Sequence, residues 1–292
     1  MFIIKNKKIF VTISAILVSL SVFAIIFFGL NFGIDFKGGS LLEVEYTTVR
    51  PEQSTIEDSI KPLSIGSILV QPMGEKGYSI KARDINEIEK LSILSALGSD
   101  AVETSFTSIG PSVGAELVRK SIICFILVAL GIILFISFSF RKVSKPVSSW
   151  KYGLIAVIAL IHDVIISTGV FAVLSHFMGA EADTLFVVAI LTVLGLSVSD
   201  TIVVFDRIRE NIRIGHFKTF EETVGRSINQ VYTRSIATSS TVIIVLIALI
   251  FFGPVSTKLF AMMLTAGMFF GTYSSIFLAS PLLVLIGGVK KR

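Results

Sequence analysis

Six apolar runs dominate the hydrophobic pattern of the 292-residue chain, at residues 9–30, 122–140, 152–174, 184–205, 236–252 and 259–286. A helix needs about 20 mostly apolar residues to cross the hydrocarbon core, and each run comes close to that length or exceeds it. The pattern predicts an α-helical polytopic membrane protein with six transmembrane helices. Between the first and second runs the character changes. Leu41 to Tyr46 alternates apolar and polar, residues 52–60 have helical spacing and stop near Pro62, and two strand-like runs, 65–70 and 78–82, flank Pro72, Gly74 and Gly77. A second helical pattern (Ile85, Ile88, Leu91, Ile93, Leu94, Leu97) ends at Gly98, and residues 101–109 read as a last strand. The order is β-α-β-β-α-β, a ferredoxin-like α+β domain, which identifies no chemistry by itself. The expected organisation is therefore residues 1–30 (N-terminus and first helix), 31–120 (the α+β domain) and 121–292 (a five-helix block).

Composition agrees with the pattern. Hydrophobic residues make up 53% of the chain, charged residues 16%, and the mean hydropathy is +0.84, outside the range of ordinary soluble domains. The first run is longer than a signal-peptide core and has no small-x-small cleavage site after it, so it reads as a retained anchor. Basic residues cluster on one side. Three lie in the N-terminal tail, four between Arg141 and Lys151, six between Arg207 and Arg234 and three at the C-terminus, whereas the loops near Gly179 and Gly253 contain only Lys258. By the positive-inside rule both termini are cytoplasmic and 31–120 is exported. The formal charge of +5 is thus a mark of topology, and no basic-aromatic patch suggests nucleic acid. The lone Cys124 allows no intrachain disulfide.

Ionisable residues inside the runs are costly and mark ion paths or buried pairs. His162 and Asp163 fall in the third run, Asp200 in the fourth within Gly195-Leu-Ser-Val-Ser-Asp200, and Arg234 opens the fifth. Asp200 is about 9 Å from the cytoplasmic end of its helix at 1.5 Å per residue, a depth at which Arg234 could meet it. Arg234, Thr238 and Thr241 share a helical face, as do Ala261, Thr265, Met268, Thr272 and Ser275, and Gly267-x-x-x-Gly271 offers a close-packing surface. The alternatives are a static ion pair for Asp200 with Arg234, headgroup snorkelling for Arg234, and a polar packing role for His162. His162, Asp163 and His176 lack metal-ligand spacing, and no cofactor is expected. Thr219-Phe-Glu-Glu222 has capping-box spacing and opens an amphipathic stretch that reads as an interfacial helix. In "GLNFGIDFKGGS" (29–40), the absence of G-x-x-x-x-G-K-[ST] rules against a phosphate loop, and Gly33, Gly38 and Gly39 read as a hinge between the first helix and the α+β domain.

"FGIDFKGG", "LIHDVIIS", "GLSVSDTIVVFDRIREN" and "RSINQVYTRSIATSSTV", in this order on a six-helix plan, resemble the SecF family. Its members are subunits of the bacterial SecD-SecF accessory complex of the Sec translocon, within the resistance-nodulation-division superfamily. The resemblance covers nearly the whole chain. It implies a non-enzymatic subunit of the bacterial cytoplasmic membrane that uses the protonmotive force to help preproteins leave the translocon on the outer side. It also implies SecD as a separate chain, the SecYEG translocon and translocating preproteins as partners. In the family an acidic residue of the fourth helix and an arginine of the fifth contribute to the proton path, and these roles map onto Asp200 and Arg234, with Asp163 and His162 as further candidates. Two other classes stay open: an intramembrane aspartyl protease built on Asp163 and Asp200, and a small-solute exporter of the same superfamily or a passive scaffold.

Overall fold

The computed structural model describes residues 2–66, 68–141, 147–215 and 217–287. Five of the basic residues counted for orientation, Lys142, Lys145, Lys290, Lys291 and Arg292, lie outside them. Ser67, inside the expected strand 65–70, does too. In chain order the elements are α1 (Phe2–Lys5), α2 (Lys7–Phe28), α3 (Ile34–Lys37), β1 (Gly39–Tyr46), α4 (Gln53–Ile60) with a 3-10 turn Lys61–Leu63, β2 (Leu69–Met73), β3 (Gly77–Ala82) and α5 (Glu87–Leu97). They continue with β4 (Ala101–Ile109), α6 (Pro111–Ser139), α7 (Ser149–Met178), α8 (Thr184–Ile214), α9 (Phe220–Phe252), α10 (Val255–Ser274), a π-helical turn Ser275–Ala279 and α11 (Ser280–Gly287). Among the described residues six helical spans are long and apolar enough to cross a membrane, α10 to α11 counting as one.

The chain divides into two compact units. One contains residues 1–31, 123–180 and 185–292; the other contains 32–122 together with the four residues Glu181–Thr184.

In the α+β unit the four strands form an antiparallel sheet in the order β2-β3-β1-β4, the ferredoxin-like arrangement. Alternation in β1 sends Leu42, Val44 and Tyr46 into a core with Ile56 and Ile60 of α4, Val70, Tyr78 and Ile80 of the hairpin, and Ile93 and Leu97 of α5. α5 starts where expected because Asn86 and Glu89 form a capping box: Asn86 Oδ1 accepts from Glu89 N at 2.9 Å and Glu89 Oε2 accepts from Asn86 N at 3.0 Å. The expected strand at 65–70 is shifted. β2 instead runs over Leu69–Met73 and contains Pro72, which is tolerated because β2 is an edge strand of the sheet.

In the helical unit, α2 and α6 bury little of their spans within the chain, whereas α7 and the α10–α11 span bury more than half. α7 is the central helix. It meets α2 where a Cβ on Gly169 would lie 2.5 Å from Ser21 Cβ, and α6 where a Cβ on Gly153 would lie 3.2 Å from Ile133 O. The Gly267-x-x-x-Gly271 face works as expected: Cβ atoms there would lie 2.1 Å from Val193 Cγ2 and 3.0 Å from Ser197 Cβ, so α10 packs directly on α8. At one end, the rings of Phe140, Tyr152 and Phe205 pack together, with centroids 5.2 Å apart for Phe140–Tyr152 and 5.3 Å for Tyr152–Phe205. α8 and α9 are pinned by the buried Asn211, whose Nδ2 donates to Ser227 Oγ and Gln230 Oε1, both at 2.8 Å. The stretch expected as a separate interfacial helix runs without a break into the fifth span. Thr219 Oγ1 caps α9 by accepting from Glu222 N at 3.1 Å, and Val224, Ile228 and Val231 are buried in the core of this unit.

Candidate functional site

Two carboxylates lie inside the helical unit, each held by hydroxyls from neighbouring helices. Asp163 of α7 is fully buried. Its Oδ1 is 2.8 Å from His162 Nδ1, and its Oδ2 accepts from Ser197 Oγ of α8 and from Ser274 Oγ of α10, the latter at 2.7 Å. The opposite ring nitrogen, His162 Nε2, is buried and has no hydrogen-bond partner among the described residues. Asp200 of α8 is less enclosed. Its Oδ2 accepts from Ser239 Oγ of α9 at 3.1 Å and, at 3.4 Å, from Thr272 Oγ1 of α10, whose single proton is shared with Ser239 Oγ at 2.6 Å and Met268 O at 2.9 Å.

Asp200 and Arg234 line one cavity of about 190 Å³, together with Ser199, Ser235, Thr238, Ser239 and apolar residues of α8, α9 and α10. The direct ion pair expected from depth alone is not formed, because the carboxylate is occupied by Ser239 and Thr272 while Arg234 is exposed. The expected hydroxyl stripe on α9 divides. Thr238 and Thr241 are exposed and donate to backbone carbonyls of their own helix, whereas Ser239, one position on from Thr238, faces Asp200. On α10 the stripe holds for Thr272, and Ser275 pairs with Thr201 Oγ1 at 2.8 Å. Ser197 and Ser274, which fix Asp163, are residues that helical periodicity does not single out; a serine three before Asp200 and one two after Thr272 is the available signal.

The two carboxylates are held separately. Among the described residues they have no common hydrogen-bond partner, so the geometry gives no support to a proton-sharing aspartyl dyad. They are linked through helices instead: α8 supplies Ser197 to one and Asp200 to the other, and α10 supplies Ser274 and Thr272. A π-helical turn begins at Ser275, immediately after these α10 contacts, an irregularity frequent at functional sites. No group of three potential metal ligands occurs among the described residues, and His176 packs against the rings of Phe28 and Phe177.

Of the three glycines read as a hinge, Gly38 and Gly39 adopt conformations that suit glycine, whereas Gly33 is extended with φ −73°. Gly38 ends α3 with φ +78°, Gly39 opens β1 with φ +133°, and Gly33 N donates to Ala182 O at 2.8 Å.

Fold and site together define a polytopic helical membrane protein that carries an α+β unit after its first span and hydroxyl-bound carboxylates inside its bundle. Residues 89–289 match the family described as protein export membrane protein SecD/SecF, C-terminal, and residues 23–48 match the SecD/SecF GG motif. The chain belongs to the SecD/SecF family of protein-export membrane proteins. It is 40% identical to the protein translocase subunit SecF of Thermobaculum terrenum, over 97% of this chain and 92% of the relative. It is 35% identical to the subunit of the same name from Anaerolinea thermophila, over 97% and 93%. A crystal structure of SecDF from Thermus thermophilus, a translocon-associated membrane protein, matches with a TM-score of 0.83 at 28% identity. That match covers 98% of this chain and 38% of the solved chain. The relatives are named as translocase subunits, which agrees with the reading of a non-enzymatic transport protein.

Proposed function

We propose that the chain is a protonmotive-force-coupled accessory subunit of the Sec translocase in the bacterial cytoplasmic membrane. Working with SecD as a separate chain and with the SecYEG translocon, it promotes export and release of preproteins on the outer side. The observation that carries this reading is the cavity shared by Asp200 and Arg234, in which the carboxylate is held by two neutral hydroxyls while the guanidinium stands unpaired with it. A static structural ion pair would be closed; this arrangement leaves two states open to Asp200. Ionised, its Oδ2 accepts from Ser239 and Thr272 and gains further from approach of Arg234; protonated, its O–H donates to a neighbouring hydroxyl, which can accept as well as donate. One charge moved across 100 mV supplies about 2.3 kcal/mol, enough to bias two helix arrangements that differ by a few kcal/mol. Asp163 and His162 are the second relay, linked to the first because α8 and α10 contribute to both sites.

Charge exposed on the bundle at membrane depth is unfavourable against lipid, which supports a second membrane chain covering the Arg234 side of the cavity. Similarity to SecDF, where the matched region is only 38% of the solved chain, favours SecD for that place. The α+β unit would be the moving exported part, with Gly33, Gly38 and Gly39 at its joint.

The test is Asp200→Asn in proteoliposomes containing SecD and the translocon. Export stimulated by a proton gradient is expected to fall to the level seen without a gradient while the complex still assembles. Export at the wild-type rate in the variant would remove the proton-carrier role, and stimulation only by a sodium gradient would reassign the ion.

A further inference from the structure

The connection between α7 and α8, Glu181–Thr184, groups with the α+β unit and is bound to it at each of three points. Asp35 Oδ2 accepts from Thr184 N at 2.7 Å and from Thr184 Oγ1. Gly33 N donates to Ala182 O at 2.8 Å, and Phe32 and Ala182 form a parallel β-bridge. Glu181 Oε1 pairs with Lys81 Nζ of β3 at 2.7 Å, and the same Lys81 donates to Gln71 Oε1 of β2 at 3.0 Å. Ala182 is fully buried, and a Cβ on Gly33 would lie 3.2 Å from its carbonyl oxygen. A tight helix-to-helix turn needs none of this. The carboxylate bond to Thr184, the first residue of α8, is charge-assisted and sits where a helix presents unpaired N–H groups.

We infer that Asp35 is a positioning residue for transport: it fastens the α7–α8 connection to the α+β unit, so that displacement of the helices bearing Asp163 and Asp200 is passed to that unit. The chain offers one covalent route into the unit at the end of α2 and another through α6; the Asp35 clamp turns the α7–α8 connection into a third, and this one starts from both carboxylate-bearing helices. In this arrangement "GIDFKGG" acts as a seat for the connection rather than as a free swivel. The inference rests on the role proposed above for Asp200, and the two fail in different ways.

The experiment uses the complete complex with SecD and translocon in proteoliposomes, with proton flux and preprotein export measured on the same vesicles. Asp35→Ala is expected to leave flux within about twofold of wild type while export falls about fivefold or more. Loss of a charged hydrogen-bond partner should also speed hydrogen exchange at the Thr184 and Gly33 amides about tenfold, with the amides of Leu42 and Ile80 unchanged. Joining Phe32→Cys to Ala182→Cys by a disulfide in the Asp35→Ala background is expected to restore export. Where Asp35→Ala fails to assemble, Thr184→Val removes one of the two donors and carries the same measurements. Flux and export falling together, or neither changing, would overturn the clamp. Failure of the proton-carrier reading is seen separately, as undiminished export in Asp200→Asn.

Discussion

At the scale of single residues the contrast between Asp163 and Asp200 is one of closure. Asp163 has a partner on each oxygen and no exposure, whereas Asp200 uses one oxygen and opens onto a cavity shared with Arg234. A group that changes protonation needs neutral donors that can turn, and hydroxyls are suited to this because they both donate and accept. Removing both hydroxyls from Asp200, as Ser239→Ala with Thr272→Val, is therefore expected to reduce gradient-driven export about thirtyfold, from two hydrogen bonds at about 1 kcal/mol each. Each single variant should show a smaller loss, and purification of the complex with SecD should be unaffected. A double variant that exports normally would leave Asp200 without need of these partners. Asp200, Arg234, His162 and Asp163 are legible in the sequence because charge inside an apolar run is rare. Ser197, Ser239 and Ser274 are not, because small hydroxylated residues are ordinary at membrane helix interfaces and only coordinates distinguish those that face a carboxylate.

At the scale of elements, periodicity locates all six spans and the β-α-β-β-α-β order, and it errs where local chemistry is outvoted. The amphipathic stretch after Thr219 has the period of an interfacial helix, but Val224, Ile228 and Val231 are buried in the bundle core, so α9 continues instead of stopping. Periodicity puts β2 too early because Ile65 and Ile68 are apolar; Ile65 is buried in the core without being in a strand, and pairing with Gly77–Lys81 fixes β2 at Leu69–Met73. The glycine-rich joint is legible as a place where glycine matters, though not for which contact. At Gly39 a Cβ would lie 2.8 Å from Ala82 O, a backbone atom of the paired strand, and φ is +133°, so both the close approach and the dihedral require glycine. Gly39→Ala is expected to destabilise the α+β unit by about 1–3 kcal/mol, seen as earlier proteolysis of that unit in thermal challenge. Stability equal to wild type would mean that β1 can shift without loss.

At the scale of the whole molecule, the proposed mechanism depends on which side of the membrane the α+β unit occupies, because a proton gradient has a direction. Orientation rests on basic residues alone, and several of them are exposed side chains near helix ends, where contact with anionic headgroups costs least. Two positions report opposite sides: Glu75, in the exposed β2–β3 turn, and Lys218, between α8 and α9. In a Cys124→Ser background, Glu75→Cys should react with a membrane-impermeant maleimide in intact spheroplasts, and Lys218→Cys should react only after the membrane is opened. Cys124 must be replaced because it is exposed on α6 and would blur the second readout. With this orientation α8 runs on from Asp200 toward the cytoplasm as far as Ile214, so the proposed carrier has its helix end on the cytoplasmic side. The opposite labelling pattern would reverse that direction, place the α+β unit in the cytoplasm and remove its part in release on the outer side. The expected pattern therefore tests the export reading independently of any transport assay, since it needs neither substrate nor gradient.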